Sequence, residues 1–159
     1  MAAPSPAPLP RLPQIPAKGG SPCLAHTCSA CCHDTEMLLT NDDVLRLRAA
    51  RPGLDFQFRT EDGYVQLRTR DGPAAPGMKG KPCIFLDPVG RCSVHAERPE
   101  GCRLFPAVWD DEAQKVILDA QYCPHTTEFL VPSATADAVR RLAGRLHAER
   151  DARVAKPRA

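Results

Sequence analysis

Residues 23–32 read Cys23-Leu24-Ala25-His26-Thr27-Cys28-Ser29-Ala30-Cys31-Cys32, and four more cysteines follow singly at Cys83, Cys92, Cys102 and Cys123. Thiolates at such spacings are ligands for a soft metal, so metal binding is the first functional expectation. It also decides the fold. A chain tied together at sulfur needs little regular structure, and the expected class is α+β: a small, irregular, metal-centred domain with short antiparallel hairpins and two or three helices. The candidate ligands are all eight thiols, Cys23, Cys28, Cys31, Cys32, Cys83, Cys92, Cys102 and Cys123.

The main rival is a disulfide framework, which requires an oxidising compartment and hence a signal peptide with an apolar core of about 7 to 15 residues. Residues 1–22 hold seven prolines instead, with Leu9, Leu12 and Ile15 as isolated large aliphatics. Such a stretch buries too little surface to offset its ordering entropy, so it reads as a disordered, partly polyproline-like tail. No run of about 18 apolar residues occurs, so no membrane span is expected. The simplest expectation is a cytoplasmic protein whose reduced thiols are held together by metal.

Leu, Ile, Val and Phe total 32 of 159 residues, and the formal net charge is +2. That apolar content is at the edge where composition begins to suggest disorder. Structural zinc is worth an apparent ~10–16 kcal/mol in small peptides, against ~5–15 kcal/mol for a whole domain, so the metal is expected to decide whether the chain folds. The expected organisation is a tail over 1–22, a cysteine-cluster domain over 23–132, an amphipathic helix over 133–153 packed on it, and a short tail over 154–159.

Within the domain, Thr40 is a good N-cap and Asp42 and Asp43 suit the positive end of a helix dipole. A helix from about Asn41 to Ala50 is predicted, with Val44, Leu45 and Leu47 toward the core and Arg46, Arg48 and Arg51 toward water, stopped by Arg51-Pro52-Gly53. Phe56/Phe58 and Val65/Leu67 alternate around Glu61-Asp62-Gly63, a hairpin signature. Residues 71–82 are loop-like and deliver Cys83 to a strand Ile84–Leu86, which Asp87-Pro88-Val89-Gly90 turns back so that Cys92 and Val94 share a face. One helical turn after Pro99, ended by Pro106, carries Cys102. A hairpin pairing Val108-Trp109 with Val116–Leu118 over 110–115 returns the chain to Cys123. Ala138, Val139, Leu142, Ala143 and Leu146 form one stripe of the last helix.

No repeat of 20 to 50 residues, glycine-rich phosphate loop or paired-carboxylate motif appears. Basic residues are frequent between Arg140 and Arg158, but Glu149 and Asp151 interrupt them and aromatics are few, which argues against a nucleic-acid partner.

Several pieces then fall into a recognisable order: Cys28-Ser29-Ala30-Cys31-Cys32, the helix start Leu38-Leu39-Thr40-Asn41-Asp42-Asp43, Cys83-Ile84-Phe85-Leu86, Gly90-Arg91-Cys92-Ser93-Val94-His95, and Arg98-Pro99 followed by Cys102-Arg103 and Phe105-Pro106. This resembles the YkgJ-type cysteine-cluster family, the zinc- or iron-chelating CxxCxxCC domain, over about Cys23 to Cys123. The chain departs from the family in the longer Cys23 to Cys28 spacing and in Ser29 at a position usually held by glycine. The resemblance implies metal chelation or iron–sulfur chemistry, without a reaction common to the members.

The spacing Cys23-x4-Cys28-x2-Cys31 is also that of plant-type [2Fe–2S] proteins, while both short spacings satisfy a zinc knuckle. An iron–sulfur cluster and zinc therefore both stand as the cofactor. Adjacent Cys31 and Cys32 in an extended backbone point opposite ways, so one ligates while the other packs, or each serves a different metal in two four-cysteine sites. His26, His33 and His95 are near enough in sequence to replace a thiol, whereas His125 and His147 have no motif support. Four thiolates around Zn(II) leave a formal charge of −2, and Arg91, Arg98 and Arg103 are the expected compensating cations. The expected use is electron transfer or metal handling. The alternatives are a structural zinc module whose surface binds a protein partner, and a thiol-dependent enzyme in which Cys32 is a nucleophile near His33 or Arg103.

Overall fold

The computed structural model describes residues 15–16 and 22–156. The expected proline-rich tail falls outside these residues apart from Ile15, Pro16 and Pro22, and residues 157–159 also lie outside. The elements in chain order are α1 (Pro22–Ala25), α2 (Asn41–Ala50), β1 (Gln57–Arg59), β2 (Val65–Leu67), α3 (Glu100–Leu104), β3 (Ala107–Asp110), β4 (Lys115–Leu118) and α4 (Ser133–Ala155), with single 3-10 turns at Ala30–Cys32, His95–Glu97 and Thr126–Glu128. This is the small α+β arrangement anticipated, with two separate antiparallel hairpins, β1–β2 and β3–β4.

Helix α2 forms where Thr40 caps it. The Thr40 hydroxyl accepts the Asp43 N–H and the Asp43 carboxylate accepts the Thr40 N–H, both at 3.0 Å, so two backbone donors that the helix start leaves free are satisfied reciprocally. Its buried face is narrower than the pattern suggested. Leu47 is fully buried, but Leu45 is 64% exposed and faces water. Arg46, expected in solvent, folds inward to the Asp43 carboxylate and to the carbonyls of Glu97 and Arg98 at 3.1 Å. The polar stripe of α2 is thus a contact surface, because a guanidinium can span several acceptors at once.

The hairpin β1–β2 pairs Gln57 with Leu67 and Arg59 with Val65, and β3–β4 pairs Ala107 with Leu118 through Asp110 with Lys115. The predicted strand Ile84–Leu86 does not form a ladder. Its backbone donors go to three different stretches: Cys83 N–H to the Cys32 carbonyl, Ile84 N–H to Arg68, and Leu86 N–H back to Cys83. Only isolated bridges remain, Thr69 with Cys83 and Leu86 with Cys92. The segment is a crossing point for the chain. Pro99 lies just before α3 as its cap residue, one position earlier than expected.

Two apolar cores result. One gathers Leu39, Leu47, Phe56, Leu67, Phe85, Leu86 and Val94, with the rings of Phe56 and Phe85 at 5.5 Å between centroids. The other sets Leu104 and Ala107 against Ala138, Val139 and Leu142 of α4, with Ile15 and Trp109 at its edge. Each fully buried side chain of this kind contributes about 1.5–3 kcal/mol. Helix α4 also makes polar ties across the fold: Glu149 accepts the Asn41 N–H at 3.0 Å, Arg145 bonds Glu100 at 3.0 Å, and Arg153 reaches the Asn41 side chain at 2.8 Å. Among the described residues no helix is long and apolar enough to cross a membrane.

Candidate metal centre

All eight cysteines are free thiols; among the described residues no three of their sulfurs lie within 4.8 Å of one another, but their influence on one another's ionisation falls into two overlapping groups. In the first, the Cys23 thiol at the exposed end of α1 is pushed up to about 11 by partial burial and by the charges that Cys31, Cys28 and Cys123 would carry. Cys123, arriving after β4, is raised by burial and again by Cys31 and Cys28. In the second, Cys102 on α3 is raised well above the usual thiol range by burial, then by Cys83, Cys31 and Cys92. Cys83 is pushed up to about 11 by burial, with Cys92 adding to it. Cys32 belongs with these, since Cys102 and Cys83 both act on it. Cys31 stands where the two groups meet.

Mutual repulsion among buried thiols is the electrostatic mark of a site that wants a cation, because each further ionisation costs more until positive charge is supplied. Local structure offsets part of this rise at particular sulfurs. Cys83 accepts the backbone N–H of Phe85, Cys92 that of Val94, and Cys123 that of His125, each two residues on. The same local device serves three ligand candidates from unrelated parts of the chain.

The adjacent pair Cys31 and Cys32 departs from expectation. The backbone from Ala30 to Cys32 is a 3-10 turn, in which successive side chains diverge by about a third of a revolution and do not oppose each other. The Cys32 thiol therefore donates to the Cys31 sulfur, lowering Cys31 below the ordinary thiol range and raising Cys32 strongly. That bond needs the Cys32 proton, so it belongs to the metal-free thiols and is lost when both sulfurs ligate.

The turn is held from outside by His33, which is 3% exposed. Its Nδ1 donates to the Ser29 carbonyl at 2.9 Å and its Nε2 accepts the Ala75 N–H at 3.1 Å, so both ring nitrogens are occupied and the ring pins the cysteine loop to the 71–82 loop. Cys83 N–H to Cys32 carbonyl at 2.6 Å, and the paired bonds between Asp34 and Lys81 at 2.8 Å, continue that seam. His95 is exposed beside Arg98, and partial burial together with the Arg98 and Arg103 charges lowers its pKa. His26 lies apart from these two. It stacks on His125, a residue without sequence support, at 3.9 Å between ring centroids.

Of the arginines expected to offset thiolate charge, Arg98 lowers the Cys92 thiol and Arg103 interacts with Cys102. Arg91 is exposed. Its place is taken by Arg70, unremarked in the sequence, whose Nε and Nη2 donate to the Leu86 carbonyl at 3.1 and 2.9 Å and whose charge lowers Cys83. The donor set is soft, anionic when ionised, amide-supported and flanked by guanidinium groups, which fits a thiophilic ion or an iron–sulfur cluster.

Comparison with curated proteins and with solved structures gave no match. A family model does match, over residues 22–124, more than half of the chain's 159 residues. That span runs from the start of α1 through Cys123 and includes every one of the eight thiols. The protein is a member of the CxxCxxCC family, described as a "putative zinc- or iron-chelating domain".

Proposed function

We propose that the protein binds metal through two adjoining four-thiolate groups, Cys23, Cys28, Cys31 and Cys123 in one and Cys32, Cys83, Cys92 and Cys102 in the other, and uses them for electron transfer or metal handling. What supports this reading is the pattern of mutual thiol repulsion, in which Cys28 and Cys31 raise Cys23 and Cys123, Cys92 raises Cys83 and Cys102, these two act on Cys32, and Cys31 acts on both sets. An iron–sulfur cluster is the occupant best supported. A four-thiolate zinc shell with Zn–S about 2.3 Å holds its sulfurs about 3.8 Å apart. Among the described residues, the group of three potential ligand atoms within 4.8 Å of one another consists of histidines and a carboxylate, not thiols. A cluster several atoms across spans the wider spacing.

Zinc is the second reading, favoured by the short Cys28 to Cys31 step and by the sulfur-bound amides. Purification without oxygen separates the two. A coloured protein with acid-labile sulfide supports a cluster, and a colourless protein retaining zinc supports zinc. Loss of both metal and sulfide in every preparation would overturn metal binding altogether. Partition is tested by Cys123→Ser and Cys92→Ser, each expected to halve the bound metal while leaving the other group loaded. Complete loss in both variants would indicate a single shared centre.

In the first group Cys23 is exposed, whereas Cys83 of the second is buried. An exposed ligand gives one group a route to a redox partner or an exchanging ion. Each group also holds one buried thiol, Cys123 in the first and Cys83 in the second. The cysteines account for the chemistry better as ligands than as nucleophiles, because the lowered thiol, Cys31, is held by its neighbour and not by a general base.

A further inference from the structure

We infer that His26, His125 and Glu128 form a separate, thiolate-free site for a divalent transition metal at the surface beside the first cysteine group. His26 sits in the turn after α1, and Glu128 closes the 3-10 turn Thr126–Glu128, 102 residues away. The imidazole rings are stacked with 7° between their planes. One carboxylate oxygen, Glu128 Oε2, lies 2.9 Å from His26 Nε2 and 3.4 Å from His125 Nδ1, and one ligand atom from each residue falls within 4.8 Å of the other two.

Those nitrogen–oxygen separations are compatible with a shared ion, which the two stacked rings would meet by tilting out of their parallel planes. With metal–nitrogen and metal–oxygen bonds of about 2.0–2.2 Å, adjacent donors stand about 2.9 Å apart at a right angle and about 3.4 Å apart at the tetrahedral angle. Two imidazoles and one carboxylate leave further coordination positions open, a set that zinc and non-haem iron(II) both accept. The side chains of His26 and Glu128 are each 43% exposed, so those open positions face solvent and the ion can enter without opening the core.

The placement is tied to the thiol centre through the backbone. His26 lies within the Cys23 to Cys28 loop, and the His125 N–H is the amide that bonds the Cys123 sulfur. The two sites are neighbours with different donor chemistry. A harder nitrogen–oxygen site at the surface binds an incoming hydrated ion that bare thiolates deeper in the fold meet only after dehydration.

The test adds Co(II) to the protein as isolated, with its thiol-bound metal in place. The expected result is uptake of about one further equivalent, visible as weak ligand-field absorption without thiolate-to-cobalt charge transfer, and paramagnetic shifts of the His26 and His125 ring protons. His26→Gln and Glu128→Gln should each weaken that uptake by at least about tenfold while leaving the thiol-bound metal unchanged. No extra Co(II), or equal uptake by both variants, would overturn the site and leave a hydrogen-bonded pair of histidines on a glutamate. Loss of thiol-bound metal in His26→Gln would also overturn it, by making these residues part of the cysteine centre. Because the readouts are distinct, failure of the cysteine reading, seen as no thiol-bound metal, is separable from failure of this one.

Discussion

Asp43 is 1% exposed and serves three partners: the Thr40 N–H at the start of α2, the Arg46 guanidinium, and the Glu100 N–H at the start of α3, the last at 3.0 Å. One carboxylate therefore fixes the helix that precedes the hairpins and the turn that carries Cys102. Asp43→Ala removes a cap, leaves a partly buried guanidinium without its carboxylate and orphans an amide, and is expected to cost about 3–5 kcal/mol in denaturant unfolding. Asp43→Asn keeps acceptors and should cost less. Equal midpoints for the wild type and Asp43→Ala would contradict the tie. Gly80 is a second such position: its φ is +98° and an added Cβ would run into the Asp34 carboxylate. Since Asp34 and Lys81 zip the cysteine loop to the segment entering Cys83, Gly80→Ala is predicted to destabilise by about 1–3 kcal/mol, read from the same denaturation curves. At this scale the sequence was partly legible. Thr40 and Asp43 announce a cap because capping is local, but the third partner of Asp43 lies 57 residues away and leaves no local signal. The same distance blindness hid Arg70 behind Cys83, and His125 and Glu128 behind His26.

Among the elements, those whose cause is local matched their reading: α2 over Asn41–Ala50, the hairpin Ala107–Asp110 with Lys115–Leu118, and α4 over Ser133–Ala155. Where backbone bonds go to several distant stretches, as at Cys83 to Leu86, alternation in the sequence misled, because it records a buried face and not the partner that supplies hydrogen bonds. Cys31 and Cys32 are the same lesson for a site: thiols are legible as a type, but their directions depend on a turn that tertiary contacts impose. Helix α3 is the element on which this matters most. It has only five residues and is positioned by Asp43 at its start, by Arg145 through Glu100, and by Arg103, which bonds the Ala96 carbonyl. Arg103 also faces Cys102 electrostatically. Arg103→Ala should therefore weaken metal retention by about tenfold in a chelator competition, and Arg103→Lys should recover part of it by restoring the charge. Metal content and retention unchanged in Arg103→Ala would remove the arginine from this role.

Seen whole, the molecule has two modest apolar cores, and Cys83, with Cys32 and Cys92 packed beside it, belongs to the first of them. Leu39, Phe56 and Phe85 anchor one, Leu104 and the stripe Ala138, Val139 and Leu142 anchor the other, and between residues 69 and 99 the chain contains no strand and only one 3-10 turn. Those residues have little regular structure to hold them on one path. Their order rests on Ala75, Phe85, Leu86 and Val94 in the first core, on the His33 seam, on scattered bridges and on Cys83 and Cys92. Without a cation, buried Cys83 and half-buried Cys32 and Cys102 return to protonated thiols that pack as small hydrophobes but no longer fix one another's positions. Removing metal with a chelator under reducing conditions is thus expected to release this joining segment, and with it the register of the two cores. Trp109, at the edge of the second core, bonded to Asp111 at 2.8 Å and lying under Arg140, offers a fluorescence reporter of that core. If the centre holds the domain together, Trp109 emission and amide exchange protection across α2 collapse in one transition on chelation, and the denaturation midpoint rises again when metal is restored. If α2 and α4 keep their protection while only residues 69–99 exchange, the cores stand by themselves through the ties of Glu149, Arg145 and Arg153, and the metal serves function without carrying the fold.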